Sequence, residues 1–198
     1  MDAAPAPGQQ VYFAYPWSEE EQRSYEDLAR RVIDLVVATP EVSSVVNKFR
    51  LTRDAREDRR QRLALEEALK PRLGELHLPV SYESLGRVLD VAYDELLGLG
   101  PLGPAWRDDG VTDIFVDGWD RIYVERDGHL VPTTARFRDQ AHASSIARGL
   151  ARMVSDRSLS PSNPLVDAQL EGARANFVYS PIAANGLAIS LRKHRPLL

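Results

Sequence analysis

An Asp-Gly dipeptide at positions 127–128 is the strongest local constraint on how this chain folds. It follows an alternating run, Arg121–Arg126, in which Ile122 and Val124 share one face, and it precedes the apolar pair Leu130–Val131. Asp-Gly is preferred where a hairpin turn needs positive φ at its central residues. The sequence therefore predicts a β-hairpin here, with a third strand beginning at Leu130.

The surrounding residues continue this pattern of short strands. Apolar side chains alternate in four further runs, Thr112–Asp117, Leu165–Leu170, Ala173–Tyr179 and Leu187–Arg192. Between them, Gln140–Ser155 has apolar residues at three- and four-residue steps behind Asp139, which is typical of a capped helix. Residues 98–195 are therefore predicted to form an α+β domain.

Residues 18–97 have helical rather than strand periodicity. Ser18 and Glu21 form a capping box before a helix that we expect to run to Thr39, and a short helix follows Pro40. Apolar residues at helical spacing recur over Leu63–Leu76, where Pro71 predicts a break or kink in the helix. A last helix, capped by Ser81, is ended by Gly98.

The predicted fold class is α+β: an N-terminal helical bundle, then a small mixed or antiparallel sheet with one or more packed helices. Residues 1–17 are predicted to be a flexible N-terminal segment, with 1–10 a mobile tail. The rings in this segment, Tyr12, Phe13, Tyr15 and Trp17, are expected to pack on the first helix. A docking segment for a partner is the alternative.

Charge and cysteine content exclude several classes of function. The 25 basic and 29 acidic side chains give a formal net charge of −4, so we expect no nucleic-acid partner bound by bulk attraction. Without cysteine, disulfides and thiolate sites are excluded. No apolar run approaches the roughly 18 residues of a membrane span, and the start lacks a signal-peptide pattern. These features favour a cytoplasmic location.

A dense run of mixed charge lies between Arg50 and Arg62. Because carboxylates are interleaved with the arginines, the run is typical of the solvated face of a helix. Contact with acidic lipid or nucleic acid is the alternative interpretation.

Candidate catalytic and metal-binding residues are few. The four histidines are too dispersed to form a helix-spaced metal pair, so no metal site is predicted. Asp108, Asp109 and Asp117 lie beside glycines, which indicates turns rather than a pair of acid–base carboxylates. No catalytic residue is assigned.

Seven short motifs follow one another in a fixed order: Gly98–Leu102, Val111–Ile114, Val116–Gly118, Ile122–Gly128, Pro164–Ala168, Gly172–Asn176 and Ile189–Lys193. Together they resemble the N-terminal domain of type II/IV secretion ATPases, and most closely the Tad/Flp pilus assembly branch. Each motif alone is weak, but the ordered series is specific.

The resemblance implies a hexameric motor. In such enzymes an N-terminal domain precedes an ATPase core, and nucleotide binds in the cleft between the two. Movement of that cleft drives transfer through an inner-membrane platform protein. The implied partners are the chain's own C-terminal ATPase domain, five further copies and the platform protein. The implied cofactors are ATP and Mg²⁺, bound by the full-length protein. The implied location of that protein is the cytoplasm, peripheral to the inner membrane.

By motif, Arg174 and Arg192 match the arginines that approach the nucleotide phosphates in this family. Strand alternation places Arg174 on the same face as Asn176, and Arg192 opposite Leu191. Both guanidinium groups are thus expected to point away from the apolar layer, where they can meet phosphate oxygens in a bidentate way. Outward arginines that are simply solvated or paired with neighbours are the alternative.

The sequence also departs from the family pattern. Gln169 stands where the family usually has arginine, and Ser160–Asn163 replaces common acidic and serine residues. The sequence contains no Gly-x-x-x-x-Gly-Lys-Ser/Thr loop, which would bind the triphosphate and magnesium. We therefore expect no ATP hydrolysis by this polypeptide alone.

Three functional hypotheses follow. The first is an N-terminal domain of a Tad/Flp-type secretion ATPase, cut off before its motor core. The second is a free-standing, non-enzymatic scaffold derived from such a domain, which binds a pilus ATPase or platform protein; Gln169 fits this hypothesis better. The third is an unrelated signalling or ligand-binding module.

Overall fold

A computed structural model describes residues 11–12, 14–15, 17–77, 81–154 and 158–194. Over these residues the chain forms six α-helices, two short 3-10 helices and one six-stranded antiparallel sheet, which confirms the α+β prediction. The predicted tail at 1–10, together with Phe13 and Arg195, lies outside the described residues. The chain divides into two compact units, one of Trp17–Pro101 and one that begins at Leu102 and also includes Tyr12.

The first unit is helical. Its helices are α1 (Glu19–Ala38), α2 (Pro40–Val46), α3 (Ala55–Leu69) and α4 (Tyr82–Leu96). The predicted capping box is present, because Ser18 Oγ accepts from the Glu21 N–H and the Glu21 carboxylate accepts from the Ser18 N–H. All four helices contribute to the buried core, which includes Ala29, Val32, Val36, Val42, Leu65, Leu69, Val88 and Ala92.

The predicted helical segment up to Leu76 is divided in two. Helix α3 ends at Leu69, and a separate 3-10 helix covers Leu73–Leu76. Pro71 explains the division, since proline has no N–H to donate and its ring clashes with the carbonyl four residues earlier.

The second unit contains the sheet. A short helix α5 (Gly103–Arg107) precedes β1 (Val111–Asp117), β2 (Arg121–Arg126) and β3 (His129–Pro132). Then follow α6 (Gln140–Val154), β4 (Leu165–Leu170), β5 (Ala173–Tyr179) and β6 (Leu187–Lys193). The strand order is β3-β2-β1-β6-β5-β4, so β1 and β6, far apart in sequence, lie together at the centre. The predicted hairpin is confirmed, with φ of 52° at Asp127 and 76° at Gly128.

Alternation gives the sheet one apolar face and one polar face. The inner face carries buried residues such as Ile114, Val124, Phe177 and Ile189. Helix α6 contacts β4 and β6, and the Tyr179 hydroxyl donates to Ser144 Oγ over 3.3 Å. The outer face carries the polar residues of the same strands, including both predicted site arginines.

The N-terminal rings have two different environments. Trp17 packs edge-on against Tyr25 of α1, with ring centroids 4.9 Å apart, as expected. Tyr12 instead extends the sheet beyond β3: its N–H donates to Pro132 O over 2.8 Å, and its carbonyl accepts from Thr134 N over 3.0 Å. The prediction that these rings pack on the first helix is therefore wrong for Tyr12.

Among the described helices, none combines the length and apolarity needed to cross a bilayer.

Candidate functional site

The two predicted site arginines are direct neighbours on the outer face of the sheet. Strands β5 and β6 pair antiparallel in a register that places Arg174 opposite Arg192. Both side chains point outward as predicted: Arg174 is exposed, and the Arg192 side chain is 72% exposed. Side chains directly opposite each other on antiparallel strands have Cβ atoms about 5 Å apart. The two guanidinium groups can therefore reach a common ligand.

A nearly buried carboxylate holds Arg192 from the other side. Asp113 lies opposite Arg192 on β1, and Arg192 Nε donates to Asp113 Oδ1 over 2.8 Å. The Asp113 side chain is only 6% exposed. This hydrogen bond and the charge of Asp113 raise the pKa of Arg192 above its usual value. Because the bond uses Nε, the two terminal nitrogens of Arg192 have no hydrogen-bond partner among the described residues.

Gln169 occupies the position next to Arg174 on the edge strand β4. Its amide nitrogen donates to Ala173 O over 3.0 Å and lies 3.2 Å from His194 Nε2. Where the family pattern would put a third guanidinium, this chain has an amide that bonds to its own backbone. Gln169, Arg174, Arg192 and Asp113 form one row across strands β4, β5, β6 and β1. The positive charge of this row is therefore concentrated in Arg174 and Arg192.

The positive charge of Arg174 is not balanced by a described acidic side chain. Within the described part of the chain, the Arg174 guanidinium makes no hydrogen bond or ion pair. Like charges directly opposite each other on neighbouring strands are destabilising, and Asp113 compensates only Arg192. An oxyanion between the two arginines would relieve this repulsion and accept charge-assisted hydrogen bonds from both. The two arginines can bind and orient such a ligand.

Arg192 and Lys193, neighbours at the end of β6, lie on opposite faces of the sheet. Lys193 is 5% exposed and points to the inner face, where Nζ donates to the carbonyls of Ala105, Trp106 and Asp108 over 2.9, 3.3 and 2.5 Å. Sequence reasoning missed this buried lysine and the helix α5 that it caps. Strand alternation was the available signal, because it places Lys193 on the face of Leu191.

The remaining candidate residues have structural partners. Asp108 Oδ1 accepts from the Gly110 N–H over 2.8 Å, which confirms the predicted aspartate turn. Asp117 pairs with Arg121 and accepts from Asn185. Over the residues that the structure describes, no group of three or more histidine and acidic side chains is arranged to hold a metal ion.

No family model matches this sequence. Two curated proteins of Mycobacterium tuberculosis, named "Putative conjugal transfer protein" MT3759 and Rv3659c, are each 35% identical over 115 residues, which is 54% of this chain and 32% of theirs. An uncharacterised protein of Methanocaldococcus jannaschii, MJ0900, is 28% identical over 125 residues, 62% of this chain and 22% of its own length. This chain thus spans a third or less of the relatives it matches.

A similar solved structure is that of the VirB11 ATPase from the Brucella suis type IV secretion system in complex with sulphate. It has a TM-score of 0.46 and 25% identity, and the match covers 51% of this chain and 31% of that one.

Proposed function

We propose that this chain is the N-terminal domain of a type IV secretion-related ATPase of the Tad/Flp kind, in which it forms one wall of the nucleotide cleft. The similarity to proteins named for conjugal transfer supports a role in transfer across membranes. The cross-strand pair of Arg174 and Arg192 is the observation that carries the proposal, because it presents two adjacent cations to a phosphate chain.

In this role the chain binds and orients phosphate rather than cleaving it. Asp113 holds Arg192 at Nε, which leaves the terminal nitrogens of Arg192 to donate to phosphate oxygens. Arg174 adds a second guanidinium group beside it. ATP with Mg²⁺, when bound, supplies the phosphoryl group whose transfer releases free energy. The phosphate loop would come from an ATPase domain that follows this one, and assembly would be hexameric at a membrane platform protein.

Alanine substitution of the two arginines in the longer protein, with its ATPase domain, tests this proposal. A charge-assisted hydrogen bond contributes about 1.5–3 kcal/mol, so Arg174→Ala and Arg192→Ala should each weaken binding of a non-hydrolysable ATP analogue by roughly 10- to 100-fold. Isothermal titration calorimetry measures the affinity, and phosphate release measures turnover.

Arg121→Ala is the matched control. Arg121 lies on β2, away from the candidate row, and pairs with Asp117 on the surface. This variant should bind the analogue as the unmodified protein does. Unchanged affinity and turnover in both site variants would contradict the proposed role of Arg174 and Arg192.

The second candidate function is a free-standing scaffold that binds a secretion ATPase or its platform protein without contacting nucleotide. Gln169 favours it, because the amide replaces a charged group and bonds to Ala173 O. The reading frame beyond Leu198 distinguishes the two. A following Gly-x-x-x-x-Gly-Lys-Ser/Thr loop supports the ATPase domain, whereas a natural stop codon supports the scaffold.

A further inference from the structure

Helices α3 and α4 of the first unit are separated on one side by an open groove of about 260 Å³. Two of the residues that line the groove, Leu65 and Tyr93, are each only 1% exposed. Leu85 and Leu89 of α4 form one wall and are only partly buried. At Gly86, between them, an added Cβ would meet nothing within 4 Å. The groove therefore has an apolar floor and room for a further side chain.

An exposed leucine lies on the opposite wall. Leu63 of α3 lines the groove and is 50% exposed. With Leu85 and Leu89 it forms a small apolar surface that another apolar group can cover.

The neighbouring Arg62 is already used within the unit. Its guanidinium pairs with Asp58, Asp90 and Asp94 and lies 4.3 Å from the centre of the Tyr93 ring. These contacts hold α3 to α4 at this point. Arg62 is therefore not available to bind a ligand in the groove.

Two other charges on the groove wall are available. Arg59 and Glu66 lie on the same stripe of α3 as Leu63, which follows Arg59 by four residues and precedes Glu66 by three. Neither side chain makes a hydrogen bond or ion pair with any residue that the structure describes. Seven helical residues separate the two charges by about 10 Å, with Leu63 close to the midpoint.

We propose that this groove binds helix α3 of a second copy of the chain, related by a two-fold axis, in a contact separate from those that would build the proposed hexamer. When two copies of α3 lie antiparallel with Leu63 near the axis, Arg59 faces the partner's Glu66, and Glu66 faces the partner's Arg59. Each Leu63 enters the space beside Leu85 and Gly86 of the other copy. A two-fold interface must be self-complementary in this way, and the opposite charges flanking Leu63 meet that requirement.

The surface favours a second copy over an unrelated helix because its charges complement themselves. An apolar groove alone would accept many amphipathic helices, but its own α3 already carries the apolar side chain and both matching charges at the required spacing. The contact is one helix face wide, so we expect a weak dimer that forms as the concentration rises.

Charge reversal provides the test, using the 198-residue chain in sedimentation equilibrium over a concentration series. Arg59→Glu alone, or Glu66→Arg alone, replaces two opposite-charge pairs with two like-charge pairs. Each should raise the dimer dissociation constant by roughly tenfold or more. An equimolar mixture of the two variants restores both opposite-charge pairs and should associate as the unmodified chain does.

Arg60→Glu is the matched control, because it makes the same change of charge one residue away, about 100° around the helix, and should leave the dimer intact. Leu63→Ala should weaken the dimer without any change of charge. Circular dichroism checks that each variant is folded, and the mixture reports complementarity even if both variants are somewhat destabilised.

Three results would overturn the proposal. One is an unmodified chain that stays monomeric at every concentration, which would leave the groove to a different partner. Another is a dimer that both single reversals leave unchanged, which would place the interface elsewhere. The third is a mixture of the two variants that associates no better than either alone.

Discussion

At the scale of single residues, the Asp108 carboxylate joins three parts of the second unit. It accepts from the Gly110 N–H and from Arg126 Nη1, the latter over 2.5 Å, and it bonds to the Tyr12 hydroxyl. Burial of Tyr12, followed by the charge of Asp108 and this hydrogen bond, raises the pKa of Tyr12 from 10.0 to about 12. Tyr12 therefore keeps its proton in the folded chain at a pH where an unfolded chain loses it.

The raised pKa of Tyr12 predicts a loss of stability in alkali. Its contribution is fully present below pH 10, the unfolded value, and is lost as the pH rises to about 12, because only the unfolded chain then releases the proton. Since Tyr12 is half-buried and screened by solvent, the loss should be about 1 kcal/mol. Urea unfolding at pH 9 and pH 11 measures it.

Tyr12→Phe is the control for this measurement, since it removes the titrating group and keeps the ring. The difference in unfolding free energy between the two chains should shrink as the pH rises from 9 to 11. A difference that stays constant across this range would show that Tyr12 does not hold its proton as the structure indicates.

At the scale of elements, one arginine, Arg62, bridges α3 and α4. The Arg62 side chain is 21% exposed, and one of its partners, Asp94, is 1% exposed. The mixed-charge run between Arg50 and Arg62 predicted that these side chains lie on the solvated face of a helix. That prediction is wrong for Arg62. Exposed pairs such as Arg60 with Glu57 do fit that prediction.

We predict that Arg62→Ala destabilises the first unit strongly. The substitution removes a cationic partner of the buried Asp94 carboxylate, and breaking a buried pair in this way typically costs about 3–5 kcal/mol. Arg62→Lys keeps a charge but cannot reach three carboxylates at once, so its effect should be intermediate. Chemical denaturation followed by circular dichroism gives the free energies of unfolding.

Arg60→Ala serves as the comparison, because its pair with Glu57 is largely exposed and should contribute less than about 1 kcal/mol. Equal effects of Arg62→Ala and Arg60→Ala would mean that the Arg62 contacts do not stabilise the pairing of α3 with α4.

At the scale of the whole molecule, the chain has two adjacent outward arginines, Arg174 and Arg192, but its sequence contains no phosphate loop. It spans 32% of the mycobacterial proteins it resembles, and no Gly-x-x-x-x-Gly-Lys-Ser/Thr pattern occurs in its 198 residues. Backbone N–H groups of that loop cradle the phosphates, and its serine or threonine binds magnesium. Arginines alone supply neither function.

The 198-residue chain should therefore release no phosphate from ATP above the rate in buffer with Mg²⁺. A coupled phosphate-release assay over a range of protein concentrations measures this. Under the proposed function, a longer protein that includes an ATPase domain is the positive control. Phosphate release that rises with the concentration of the short chain and persists after further purification would contradict the prediction.

Local signals predicted most of the elements. The capping box at Ser18, the Asp127–Gly128 turn and the periodicity of α6 act over a few residues, and each is confirmed. The break after Leu69 was visible as Pro71, but helix α5 was missed because it has only five residues and begins with Gly103 and Pro104. The outward direction of Arg174 and Arg192 also followed from alternation alone.

The sequence by itself determined which residues form helices and strands and which face each strand residue takes, because caps, turns and side-chain periodicity depend on near neighbours. Only the tertiary structure decided that β1 pairs with β6, and with it that Asp113, Arg192 and Arg174 form one row. It also decided that Lys193 caps α5. These contacts join residues distant in the chain, and their register is set by packing of the whole sheet, which no local pattern encodes.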